Sequence, residues 1–213
     1  MTILKNYTYN FALENSYNLP IIAGIDEVGR GCLCANVFAS CVVITQQNNI
    51  PNGITDSKKI AENNREKIFE EIIKNETILY GIGESSVEEI DKYNIREATK
   101  LAMQRSYENL KEKYGIKPDL VLVDGNFVPK IDTRAEFIIK GDAKSVSIAT
   151  ASIIAKVSRD RVLRELDIKY PEYKWGKNKG YGTKEHIEAI KKYGMTDEHR
   201  KTFCKKFNYM FLL

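Results

Sequence analysis

Residues 20–31, PIIAGIDEVGRG, decide how this chain is read. The apolar run 20–25 predicts a short strand, and Asp26 and Glu27 stand directly after it. The pattern recurs: 119–123, DLVLV, reads as a strand followed by Asp124, and 135–139, AEFII, as one followed at short distance by Asp142. In open α/β sheets, ligand sites lie beyond strand ends. Apolar strands with terminal acids can therefore bring those acids together in space. A buried carboxylate is costly unless a cation or a proton compensates it, so such a cluster needs one or the other. Oxygen ligands without histidine favour a hard ion, Mg²⁺ or Mn²⁺. Two such ions about 3.5–4 Å apart can hold the attacking and leaving oxygens of a phosphodiester. The competing reading is that each acid only starts a turn or caps a helix.

The rest of the pattern fills in an α/β chain. Residues 35–44, ANVFASCVVI, are β-branched and aromatic and predict a buried strand, and 76–83 predict another. Helices are expected at 60–74, where Ile68, Phe69, Ile72 and Ile73 share a face, and at 86–91, opened by the capping box Ser86-x-x-Glu89. A helix over 95–114 follows Asn94 as N-cap and ends at Gly115 and Pro118. A long helix over 145–169 is apolar and small in its first half, charged and amphipathic in its second. Two more are expected at 184–193 and 197–208. The order of elements predicts a mixed central sheet in one domain over 1–213, with residues from about 170 as a helical region packed on it. The strand order stays open.

Composition narrows the class. The 213 residues are 43% hydrophobic and 29% charged, which excludes collagen, low-complexity disorder and a disulfide scaffold. The net charge of +4 and a pI near 8.7 permit nucleic acid as a partner without demanding it. Cys32, Cys34, Cys41 and Cys204 form no C-x-x-C, and only His186 and His199 could join them, so a zinc site of usual spacing is not expected. The cysteines read as small core side chains in a reducing compartment. The N-terminus lacks the pattern of a signal peptide, and no apolar run approaches the ~18 residues of a membrane helix, so a cytoplasmic location is expected.

Other motifs admit two readings each. Gly29-Arg30-Gly31 lets a backbone approach a ligand closely, or is an ordinary turn with a solvated arginine. Asp56-Ser57-Lys58-Lys59 caps the next helix, or its lysines meet phosphates. Residues 169–184, KYPEYKWGKNKGYGTK, interleave lysines with Tyr170, Tyr173, Trp175 and Tyr181, as a nucleic-acid surface or as a loop pinned by aromatic packing. His186 and His199 assist proton transfer or are structural; the structural reading is preferred. Asp160, mid-helix between two arginines, reads as a local ion pair. The tail KKFNYMFLL (205–213) packs on the domain or docks a partner.

In this order the pieces resemble the type 2 ribonuclease H family, the bacterial ribonuclease HII group. The matching stretches are GIDEVGRG (24–31), TDSKKI (55–60), VLVDGN (121–126), KGDAKSVSIATASIIAKVSRDR (140–161), KGYGTKEH (179–186) and EHRKTF (198–203). The first and fourth are the specific ones. The resemblance implies a ribonuclease H-like fold with a mixed five-stranded sheet flanked by helices and a C-terminal helical extension. It implies a monomer that cleaves the RNA strand of RNA/DNA hybrids and incises 5′ of a single ribonucleotide embedded in duplex DNA, leaving 3′-hydroxyl and 5′-phosphate ends. It admits a sliding clamp as a further partner. By position, Asp26, Glu27, Asp124 and Asp142 are implied as the catalytic and metal-binding acids for Mg²⁺ or Mn²⁺. Backbone groups of Gly29, Arg30 and Gly31 are implied to sense the ribose 2′-hydroxyl, the group that distinguishes RNA from DNA at one position. Tyr181 is implied to pack on the neighbouring sugar, and Lys58, Lys144 and Lys184 to contact phosphates.

One departure stands out. Cys32-Leu33-Cys34-Ala35-Asn36 occupies a place where the family continues with proline and small residues, which puts the stiffness of the turn in question because proline pre-sets the backbone. The related type 3 group has an extra N-terminal domain and a lysine in the sensor triplet; the short N-terminus and Arg30 favour type 2. A binding module would have a broken acid set, and a glycosidase working through paired carboxylates would not need metal.

Overall fold

The apolar runs become five strands: β1 (Ile22–Val28), β2 (Val37–Ile44), β3 (Ile78–Ser85), β4 (Leu120–Asp124) and β5 (Ala135–Ile138). In this computed structural model, which describes residues 11–208, they form one sheet in the order β3-β2-β1-β4-β5. β2 runs antiparallel to both β1 and β3, while β1, β4 and β5 run parallel to one another. This is the mixed five-stranded sheet expected.

Helices α1 (Ala12–Ser16), α2 (Glu62–Lys74), α3 (Val87–Tyr93), α4 (Ile95–Tyr114), α5 (Val146–Lys169), α6 (Trp175–Asn178), α7 (Lys184–Tyr193) and α8 (Lys201–Asn208) surround it. Strand alternation divides the core. Ala23, Ile25, Ala39, Cys41 and Val43 face α4 and pack on its Ala98, Ala102, Met103, Tyr107 and Leu110. On the opposite face, Val42 joins Val146, Ala149 and Ile153 of α5, with Ile68, Phe69 and Ile72 of α2 behind them. A third cluster joins Leu33 and Cys34 to Leu163, Trp175, Ile190 and Cys204, seating the C-terminal helices against the loop between β1 and β2. All four cysteines are buried free thiols, as read. No described helix is long and apolar enough to cross a membrane.

The caps explain most boundaries. Ser86 and Glu89 make the expected capping box; the Asn94 side chain accepts from Arg96 and Glu97 N–H; Gly115 ends α4 in the left-handed region at φ +64°. Three expectations change. The helix expected at 60–74 starts after Ala61, so neither Asp56 nor Ser57 caps it: Asp56 accepts from its neighbour Lys58 N–H, and Ser57 is buried against the Ser152 hydroxyl at 2.8 Å. The last helix starts at Lys201, not 197, because His199 pairs with Cys34 as a β-bridge and Asp91 caps the backbone of Lys201 and Thr202. Asp160 makes the expected local ion pair, with Lys156 one turn back at 2.6 Å, and adds a longer contact to Arg65 of α2 at 3.7 Å. The short α1 and α6 were not anticipated. The tail from 209 lies outside the described residues.

The helices sit unusually close to the sheet at glycines. A Cβ on Gly24 of β1 would lie 2.3 Å from the Ile148 nitrogen of α5, and one on Gly81 of β3 would lie 2.2 Å from the Ser106 carbonyl oxygen of α4. These contacts are with backbone and cannot be relieved by a rotamer change. Gly24→Ala is therefore expected to cost about 3 kcal/mol and lower Tm by roughly 6–12 °C. A thermal melt shifted by less than about 2 °C would show that α5 moves off β1 freely.

Candidate active site

The parallel pairing of β1 with β4 brings the first acids together. Ile25 is in register with Val123, so Asp26 and Asp124 follow side by side. Asp26 and Glu27 lie within β1, not beyond it as expected, because β2 continues to pair with them through Ser40 and Ala39. Successive strand residues face opposite sides. Asp26 therefore lies on the α5 face with Gly24, where the Ser152 hydroxyl bonds it. Glu27 lies on the other face and approaches Arg30, 3.5 Å away. Asp142 enters from the single turn Gly141–Ala143, which the Gly141 N–H ties to Asp124 Oδ1 at 2.6 Å.

The electrostatics are those of gathered like charges. Asp26 is 6% exposed, and burial first, then Glu27 and Asp124, push its carboxyl well above its ordinary range. Burial also raises Glu27; Arg30 opposes the rise and Asp124 adds to it. Asp142 is raised by burial, then by Asp124 and Asp56. Burial pulls Lys58 down, but Asp26, Asp56, Asp142 and Tyr181 outweigh it and hold the ammonium above its usual value. Lys58 is thus the lysine that the fold brings to the acids. Lys144 is exposed at the end of the Gly141–Ala143 turn, and Lys184 faces Glu188 on its own helix at 3.9 Å.

Among the described residues, no three acids, histidines or cysteines are grouped so as to enclose an ion by themselves. The donor set still suits a hard divalent cation. It is all carboxylate, and its repulsion and burial both favour an added positive charge. An open site of this kind leaves coordination positions for water and phosphate, which is how Mg²⁺ is usually held.

Beside the acids lies the turn 29–31. Gly29 has φ +98°, and a Cβ there would also lie 2.4 Å from Arg159 Nε, so glycine is required twice over. The Arg30 guanidinium covers the Phe127 ring at 5.2 Å. Tyr181, 45% exposed, stands against Gly31: its ring carbon is 3.9 Å from where a Gly31 Cβ would be. The 179–184 segment is held from behind by an aromatic cluster. His186 Nδ1 lies 2.9 Å from the Tyr181 carbonyl, and Trp175 Nε1–H donates to His186 Nε2 at 2.9 Å. The Thr196 N–H donates to His199 Nδ1 at 3.0 Å, leaving the His199 proton on Nε2, 3.2 Å from His186 Nε2. Burial lowers His186; burial and then His186 lower His199 to about 4. The two histidines are neutral scaffolding, as the structural reading held.

Sequence reasoning missed Asp56 as a neighbour of Asp142, Ser152 as the partner of Asp26, and the two buried arginines Arg159 and Arg200. The arginines' signal was present in SRDR and EHRKTF, where a cation is embedded among residues that pack.

The sequence profile of the family described as Ribonuclease HII matches residues 23–210. The chain belongs to the ribonuclease HII family. It is 52% identical over 199 residues to a ribonuclease HII of the Wolbachia endosymbiont of Brugia malayi, covering 93% of this chain and 95% of that one. Among solved structures it is similar to the ribonuclease H2 of Pyrococcus horikoshii (TM-score 0.69, 28% identity, 90% of this chain and 98% of that one). It is also similar to the ribonuclease HII of Archaeoglobus fulgidus solved in a complex with PCNA (TM-score 0.63, 28% identity, 84% and 93%). The sheet and its helices are thus the ribonuclease H-like fold, and the chain is an endoribonuclease of the class that cuts the RNA strand of RNA/DNA hybrids.

Two outcomes follow from the charges. Asp26→Asn removes one of the buried like charges, so in EDTA it should raise Tm by roughly 2–8 °C; an unchanged or lower melt would show that Asp26 is not strained in the metal-free protein. His199 should titrate only near pH 4 in an NMR titration. The unfolded chain takes that proton near pH 6.5, so this contribution to stability is present above that pH and is lost, at up to about 1.4 kcal/mol per pH unit, as pH falls toward 4. A measured value above 6 would refute the neutral pair.

Proposed function

We propose that this protein also incises DNA 5′ of a single embedded ribonucleotide, and that one surface formed by the acids, the 29–31 turn and Tyr181 performs both selection and cleavage. The observation that carries this reading is the half-exposed Tyr181 ring against Gly31, with Lys58 in electrostatic reach of both Tyr181 and the acids. A tight turn with glycine on both sides of Arg30 lets backbone N–H groups reach a 2′-hydroxyl, and a ring packed on the next sugar has no room for a second hydroxyl there.

The family depends on a divalent metal. Here Asp26, Glu27, Asp124 and Asp142 would hold Mg²⁺ or Mn²⁺. When bound, a pair of such ions supplies an activated water and a stabilised 3′ leaving oxygen, which yields 3′-hydroxyl and 5′-phosphate ends. The chain's own groups do the rest. The Gly141 N–H and the Ser152 hydroxyl orient the Asp124 and Asp26 carboxylates. Lys58 neutralises phosphate charge beside the acids, with Lys144 and Lys184 further out on the duplex path. The protein acts as a single-domain monomer in the cytoplasm in this reading.

Cleavage of a DNA duplex bearing one ribonucleotide, with Mg²⁺, Mn²⁺ and EDTA arms, tests it. A cut on the 5′ side of the ribonucleotide, lost with EDTA, is expected. Asp124→Asn should lower kcat by at least about a hundredfold with the fold intact, and Tyr181→Ala should lower activity on the single-ribonucleotide duplex more than on a long RNA/DNA hybrid. Cleavage of the hybrid alone would overturn the assignment of 29–31 and Tyr181.

A further inference from the structure

Arg159 and Arg200 are 1% and 0% exposed, and neither has a carboxylate at ion-pair distance among the described residues. Two buried cations without anions are costly unless dipoles replace the lost water. Here the replacement is backbone. Arg200 donates from Nη1 to the carbonyls of Gly29 (2.7 Å), Arg30 (3.2 Å) and Cys32 (2.9 Å), and from Nε and Nη2 to that of Ala35 (3.0 and 2.6 Å). Arg159 donates to the carbonyls of Cys34 (3.0 Å), Asn36 (3.1 Å) and Lys179 (3.0 Å). Six carbonyls between residues 29 and 36 thus point at two guanidinium groups.

Peptide planarity gives this a consequence. In a trans peptide the C=O and the following N–H point opposite ways. Aiming the Gly29 and Arg30 carbonyls inward at Arg200 sends the N–H groups of Arg30 and Gly31 outward, and neither donates to another described residue. We propose that Arg200 is a positioning residue of the 2′-hydroxyl sensor: its fork fixes the peptide planes of the 29–31 turn so that two unpaired N–H donors face the substrate. Arg159 extends the same hold to Lys179, and the Leu33 N–H to the Gly180 carbonyl at 2.8 Å, so the turn and the Tyr181 segment keep one register. The geometry calls for arginine: five N–H donors in a rigid plane span carbonyls on both sides of the turn, which the single ammonium of lysine does not. Burial and the adjacent Arg159 lower Arg200 to about 10, so the fork stays charged at neutral pH.

This inference rests on the reading that the 29–31 backbone senses the 2′-hydroxyl, and the test separates the two. The readout is the ratio of Ki for an all-DNA duplex to KM for the same duplex with one ribonucleotide, measured for wild type, Arg200→Lys and Gly31→Ala. Loss of folded enzyme lowers the apparent kcat and leaves this ratio unchanged, so a merely structural role does not move it. Arg200→Lys is expected to lower the ratio by about tenfold, the scale of one or two hydrogen bonds to a hydroxyl. Gly31→Ala has room for its methyl within the fold but places it where the sugar must approach, and should lower the ratio as well. A lowered ratio in Gly31→Ala with a wild-type ratio in Arg200→Lys would overturn the positioning role and leave the sensor reading standing. A wild-type ratio in Gly31→Ala would overturn the sensor reading and this role with it. Should circular dichroism show Arg200→Lys unfolded, Arg200→Gln below its melting temperature carries the same expectation, and a wild-type ratio there overturns the role.

Discussion

Everything at the candidate site depends on one constraint: backbone pairing of β1 with β4 sets Asp26 beside Asp124 regardless of their charge. The strands are apolar along their length, and burying them fixes the register. The carboxylates at their ends are carried along. Burial and repulsion then raise Asp26 and Glu27, so the site is least favourable when its acids are ionised and no cation is near. Stability is given up locally, and the hydrophobic core built around the same strands offsets the loss.

Helix α5 transmits that core to the chemistry. It lies on β1 at a distance only Gly24 permits, and its first half is buried on every side. This close seat lets Ser152 reach Asp26, and two turns further on it aims Arg159 at the loop after β1. Asp160 is held beneath by Lys156 and Arg65, which locks α2 and α5 together behind the acids.

The loop 29–36 illustrates how stiffness arises without proline. Cys32 and Asn36 leave the backbone donors intact, and the loop is fixed instead by guanidinium groups from α5 and from Arg200 just before α8, by the bridge of Cys34 to His199, and by the Gly180 carbonyl. The C-terminal helices are therefore part of the site's scaffold. Their aromatic cluster, with two neutral histidines, supports the Tyr181 segment from inside the fold.

Local patterns determined a good deal by themselves. The five strands, the caps at Ser86 and Asn94, and the buried thiols were legible because each depends on neighbours a few residues apart. The four acids were legible because an apolar run followed by a carboxylate is a local signal. Tertiary structure alone decided the strand order, the escape of Asp56 and Ser57 from capping, the late start of α8, and the second partner of Asp160, Arg65. It alone revealed Arg159 and Arg200 as the groups whose hydrogen bonds hold the 29–36 loop. The reason is physical: an arginine in SRDR or EHRKTF looks solvated until the carbonyls that replace its water are known, and most of those come from a segment more than a hundred residues earlier in the chain.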